Sequence, residues 1–202
     1  DGGVGRGARQ GVGAGLFQRM SWVALFFALL AGPLATAACL SSEKREGTLG
    51  LLFLTDLKGY DVVLGKLAAT SLSSIYGLLA VLPVLAIPIL MGGVTTGMFW
   101  RVVVVLLNSL FFSLVTGLLV SSLSRDANRA QRTAGLLTLG IPVLIWLVVA
   151  ISRNVTGVAE WVGWISLASP FSVLSLASSA GSTSHLLAFW GSMAALHILS
   201  WL

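Results

Sequence analysis

Met20-Ser21-Trp22-Val23-Ala24-Leu25-Phe26-Phe27-Ala28-Leu29-Leu30-Ala31-Gly32-Pro33-Leu34-Ala35-Thr36-Ala37-Ala38-Cys39-Leu40 is a run of 21 residues without a charge. As an α-helix rising about 1.5 Å per residue it covers about 30 Å, the thickness of a bilayer's hydrocarbon core. Three more runs repeat the pattern, Leu67 to Met91, Val102 to Leu123 and Ala134 to Ile151, and another starts near His185 and continues to Leu202. The reading is an all-α integral membrane protein with about five transmembrane helices, spans A to E. A β-barrel would show segments of about ten residues with alternating polarity, and none occurs. Composition agrees: 56% of residues are hydrophobic and 9% charged, with mean hydropathy +0.96. A soluble domain carries about 25% charged residues.

The net charge of +5 does not call for nucleic acid, because Arg and Lys sit at the edges of apolar runs, where they anchor helices and set topology. Pro83 and Pro88 should kink the far half of span B, and Pro142 lies in the middle of span D. Asp1 to Gly15 holds seven glycines and two arginines and reads as a flexible, wet segment, so residues 1–19 are taken as the remnant of an external loop. The chain, opening on Asp1 and ending inside an apolar run, reads as a piece of a longer protein. Between spans D and E, Trp161 to Ala177 is apolar and aromatic but broken by Gly163 and Ser169-Pro170. It fits a re-entrant or interfacial helix pair, with Trp161 and Trp164 in the headgroup zone.

Small residues recur at four-residue spacing in three spans: Ala24, Ala28, Gly32 and Thr36 in A; Ala69, Ser73 and Gly77 in B; Ser109, Ser113, Gly117 and Ser121 in C. Such stripes let helices approach closely in a bilayer. Ala28, Gly32, Ser113 and Gly117 are the chosen helix-packing positions. The sequence does not say which stripe meets which partner.

Lys44, Arg45, Lys58 and Lys66 lie in the A–B loop and Arg125, Arg129 and Arg132 in the C–D loop. Arg6, Arg9, Arg19, Arg101 and Arg153 lie on the other side. This balance favours cytoplasmic A–B and C–D loops, although the rule alone leaves the sign open.

Spans A to D as bounded here contain no Asp, Glu, Lys, Arg or His, which disfavours ion-coupled pumping. No phosphate-binding loop, paired-histidine zinc motif or nucleophile elbow occurs, so no catalytic, cofactor-binding or metal-binding residue is named. His197 and Cys39 read as packed helix residues. Asn154-Val155-Thr156 matches a glycosylation acceptor, a short pattern that often arises by accident.

The remaining signal is the A–B loop. Residues 41–66 hold eight of the chain's nineteen charged side chains: Glu43, Lys44, Arg45, Glu46, Asp56, Lys58, Asp61 and Lys66. Glu46-Gly47-Thr48-Leu49 followed by Leu51-Leu52-Phe53-Leu54-Thr55 reads as a short amphipathic helix with acidic residues at its positive end. The order Ser42-Glu43-Lys44-Arg45-Glu46-Gly47-Thr48-Leu49, then Thr55-Asp56-Leu57, then Asp61-Val62-Val63-Leu64-Gly65-Lys66 resembles the ABC transporter permeases of the type-2 exporter superfamily. Gly50 stands where that family often has Glu, and Asp56 where it often has Pro. The layout of the following spans also resembles the family. Spans A to E would be its second to sixth helices, with the first missing.

The resemblance implies a transmembrane permease domain over residues 20–202 in a cell membrane. It implies a membrane subunit, not an enzyme, of an ATP-driven exporter. The implied partners are a cytoplasmic ABC ATPase subunit, which would carry ATP and Mg, and a second permease copy or paralogue, within the lipid bilayer. No cofactor is expected in this chain. Glu43, Lys44, Arg45, Glu46, Gly47, Thr48, Leu49 and Leu52 would form the coupling helix that contacts the ATPase, and the broken segment would be the external re-entrant pair. A membrane scaffold or assembly factor without transport of its own is the alternative reading.

Overall fold

The computed structural model describes residues 2–36, 59–124, 126–152, 169–178, 190, 191 and 194. Every described element is a helix: α1 (Gly2–Thr36), α2 (Gly59–Met91), α3 (Thr96–Leu123), α4 (Ala127–Gly135), a wide π-turn (Leu136–Gly140), α5 (Ile141–Ser152) and α6 (Pro170–Ser178). Four helical stretches are long and apolar enough to cross a bilayer: Gly11–Thr36, Leu67–Met91, Thr96–Leu123 and Ala127–Ile151. The chain is thus an all-helical, multi-pass membrane protein. The expected fifth span, 185–202, lies almost wholly outside the described residues.

The helix α3 is the centre of the bundle. Of its most apolar window 56% is buried, against 17% for α2. Its buried side includes Val102, Val105, Leu106, Leu110 and Leu114. The most extensive contact in the molecule is between α1 and α3, followed by α1 with α2. Gly32 meets Ser113, and Thr36 meets Gly117. Numbering rises together on both helices, so α1 and α3 run parallel. The helix α2 returns the chain between them, and its outer side chains Leu72, Tyr76, Leu79 and Leu90 are exposed, as suits a lipid-facing helix.

The turn from α2 to α3 is tight. Gly92 and Gly93 both have φ of 84°, a left-handed conformation that glycine adopts without a Cβ penalty. Thr95 then caps α3 by accepting a hydrogen bond from Met98 N at 3.3 Å.

Three local outcomes differ from the sequence reading. First, α1 begins at Gly2, where a glycine-rich loop is expected. A helical glycine costs about 1 kcal/mol relative to alanine, so local propensity argues for a loop. Propensity omits tertiary contact: Gly13 passes under the α2–α3 turn, and a Cβ there would overlap the Gly92 carbonyl and lie 3.3 Å from Pro88 O.

Second, helix begins at Ala127, seven residues before the expected start of span D at Ala134. Asp126 Oδ1 accepts from Asn128 N at 3.1 Å, a standard N-cap, and α4 starts immediately. Its Ala130 and Ala134 are fully buried while Arg129, Gln131 and Arg132 are exposed.

Third, helix continues from 127 to 152 with a π-turn just before Pro142. Ala130, Ala134, Thr138 and Pro142 are all buried. A strict four-residue stripe drifts about 40° per step around an α-helix of 3.6 residues per turn. A wider turn takes up that drift and holds the stripe against the bundle. Pro142 also supplies no N–H to Thr138 O, which weakens the α-helical alternative at this position.

Candidate functional site

The most specific polar arrangement among the described residues joins α1 to α3. It begins with Pro33. A proline inside a helix removes the N–H that would bond to the carbonyl four residues earlier, here Leu29 O. In hydrocarbon no water can replace that donor. The Ser113 hydroxyl, coming from α3, donates to Leu29 O. Ser113 Oγ in turn accepts the Gly32 N–H at 3.0 Å. One turn on, the Thr36 hydroxyl bridges the two helices, sharing its proton between Gly32 O at 2.8 Å and Leu114 O at 3.1 Å.

This arrangement needs the backbones very close, and glycine allows it. A Cβ on Gly32 would overlap the Ser113 carbonyl. One on Gly117 would overlap Thr36 Oγ1 and sit 2.8 Å from Gly32 O. Leu25, Ala28 and Leu29 of α1 and Ser109, Leu110 and Ser113 of α3 are almost fully buried. Lipid tails are as apolar as leucine, so burial itself contributes little to helix association in a bilayer. Close packing and interhelical hydrogen bonds contribute most. The seam combines both: close backbone packing and hydrogen bonds between α1 and α3.

The four helix-packing positions named from sequence fall together here: Gly32, Ser113 and Gly117 are in the seam and Ala28 is buried one turn above it. The stripe on α2 behaves differently. Ala69 and Ser73 face outward, and Gly77 approaches only the ring of Phe27, 3.4 Å from where a Cβ would be. Spacing alone could not separate these cases. The specific pairing follows from Pro33, whose orphaned carbonyl was a signal available in the sequence.

A second cluster is aromatic. Phe171, at the start of α6, stacks on Trp22 of α1 with ring centroids 5.7 Å apart and tilts against Phe26 at 5.5 Å. Ser169 donates to Pro142 O at 3.4 Å. These contacts pin α6 against α1 and the rod 127–152, leaving an apolar groove lined by Trp22, Phe26, Val143, Trp146 and Phe171.

The helices extend further than spans A to D and take in Arg19 in the middle of α1, Arg101 in the second turn of α3, and Arg129 and Arg132 in α4. Arg101 Nε and Ser109 Oγ are buried without a hydrogen-bond partner among the described residues. No group of three or more metal-ligating side chains occurs among the described residues.

Glu43, Lys44, Arg45, Glu46, Gly47, Thr48, Leu49 and Leu52, the coupling-contact positions, lie outside the described residues, as do Trp161 and Trp164. What the structure gives is the position of the flanking helices. Thr36, at the end of α1, is level with Leu114 and Gly117 of α3. Leu64 and Leu67, at the start of α2, share a groove with Leu110 and Leu114 of α3. The ends bounding residues 37–58 thus lie at the same end of the bundle as the α3–α4 turn.

No protein family, curated protein or solved structure matches the chain.

Proposed function

We propose that the chain is the membrane-spanning permease subunit of an ATP-driven ABC transporter of the type-2 exporter kind. In this reading it couples hydrolysis by a separate cytoplasmic ATPase to movement of a substrate across a cell membrane. The observation that carries the reading is the block Glu43 to Lys66, with its acidic start, Gly-Thr-Leu, apolar run and closing Leu-Gly-Lys. Four helices able to span a bilayer supply the setting.

The geometry suits such a mechanism. The proposed coupling helix follows directly on α1, and α1 is tied to the central helix α3 by the Ser113 seam. A push on the loop would move α1 and α3 as one body, the kind of rigid-body switch that coupled transporters require. The contact with α2 is looser, an open apolar groove between Leu67, Ser71 and Ile75 on one side and Leu107, Phe111 and Leu114 on the other. The hinge would lie there. The segment 161–177 would cap the external end as a re-entrant pair, and a second permease subunit would complete the pathway.

The test is partner capture. The full-length protein, purified in mild detergent from its native membrane, retains a cytoplasmic ATPase, and the charge reversal Arg45→Glu with Glu46→Lys releases it. Retention by that double variant overturns the docking role. Absence of any ATPase from the wild-type preparation favours the scaffold reading.

A further inference from the structure

We propose that the groove along α4 and the π-turn is a binding site for an anionic phospholipid from the leaflet at the α3–α4 end of the bundle. The groove holds about 580 Å³ and is lined by Gln131, Arg132, Gly135, Leu139, Gly140 and Val143, among others. Its polar groups are all at one end, and below them the lining is apolar and glycine-floored.

Charge selects the head of the occupant. Arg132 is exposed and has no acidic partner among the described residues, while Arg129 is 3.8 Å from the Asp126 carboxylate. Of the two arginines on α4, the unpaired guanidinium is thus Arg132, a planar donor suited to a phosphate. The Gln131 amide beside it can donate to a second phosphate or glycerol oxygen. Basic groups at this level of a membrane protein attract anionic lipid, each contributing roughly a fivefold preference.

Length selects the tail. From Arg132 to Val143 the rod advances about 16 Å at helical rise. Half of a bilayer's hydrocarbon core is about 15 Å. An acyl chain whose phosphate sits on Arg132 therefore ends near Val143, at the midplane. The floor is open: a Cβ on Gly135 or Gly140 would meet nothing within 4 Å. The neighbouring stripe Ala130, Ala134 and Thr138 is buried against the bundle, which fixes the groove's face toward lipid.

The experiment uses the full-length protein, delipidated in detergent and titrated with dioleoyl-phosphatidylglycerol or dioleoyl-phosphatidylcholine, with bound lipid counted by native mass spectrometry. The wild type is expected to prefer phosphatidylglycerol at least fivefold. Arg132→Gln is expected to remove about fivefold of that preference and leave phosphatidylcholine binding unchanged. Gly140→Leu, for which there is room, is expected to fill the groove and weaken both lipids, with helical circular dichroism unchanged. Inorganic phosphate at millimolar concentration is expected not to compete, since it lacks the chain. Equal affinity for the two lipids in the wild type, an unchanged preference in Arg132→Gln, an unchanged occupancy in Gly140→Leu, or displacement by free phosphate would each overturn the proposal.

Discussion

Replacing Ser113 with alanine removes one oxygen and almost no volume, yet it takes away the donor that fills the gap Pro33 makes in α1 and a contact of the neighbouring Gly32 N–H. The Leu29 carbonyl loses its donor and the Gly32 N–H loses the Ser113 oxygen. Interhelical side-chain hydrogen bonds in a bilayer are worth about 0.6 kcal/mol on average and about 1.7 kcal/mol at most. A buried carbonyl left bare costs about 1–3 kcal/mol. Ser113→Ala should therefore destabilise the bundle by about 2 kcal/mol. The deciding comparison is a double-mutant cycle with Pro33→Ala. That second change restores a backbone N–H able to bond Leu29 O within α1, so the serine is needed less. In the Pro33→Ala background the cost of Ser113→Ala should fall to about 1 kcal/mol, the remainder reflecting Gly32. Steric trapping in bicelles measures all four stabilities. If Ser113→Ala costs the same in both backgrounds, within about 0.3 kcal/mol, the serine is not serving the proline gap and the reasoning is wrong.

Gly117→Leu should cost about 3 kcal/mol in the same assay, because its side chain meets the Gly32 backbone, which cannot yield without parting the helices. Ser73→Leu, on the outward face of α2, should change stability by under about 0.5 kcal/mol. Phe171→Ala should cost about 3 kcal/mol and shift tryptophan emission, since Phe171 stacks on Trp22; unchanged emission would mean that α6 is not pinned there. A single cysteine at Thr48 should react with impermeant maleimide only from the cytoplasmic side and one at Gly157 only from outside, and the reverse pattern would invert the orientation.

Much of the fold could be read from charge. Long runs free of Asp, Glu, Lys and Arg mark the middle of each crossing helix, because hydrocarbon penalises charge whatever the tertiary context. The helix ends were less legible. Gly13 is helical because it slips beneath the Gly92 carbonyl, a contact between distant residues that propensity cannot contain. The beginning of α4 was legible in principle: Asp126 is an N-cap, and Ala130, Ala134 and Thr138 repeat at the spacing a wide turn keeps in line. At the seam, small-residue spacing marked the α1 and α3 faces but marked the outward face of α2 equally. What separates them is Pro33, which creates a need that only a hydroxyl from a neighbouring helix meets. The charged block at 41–66 is legible as sequence chemistry alone, and its role stands on the proposal above.

The central claim is that this block carries force from an ATP-consuming partner into a bundle that binds no nucleotide. The most direct measurement is ATP hydrolysis by the complex purified with the full-length protein and reconstituted in proteoliposomes, compared with a variant in which residues 43–54 are scrambled. The account predicts hydrolysis that accompanies the wild-type protein and is lost with the scrambled block, while the Ser113 seam keeps both proteins equally stable. Equal hydrolysis from both preparations, or none from the wild type, would contradict it.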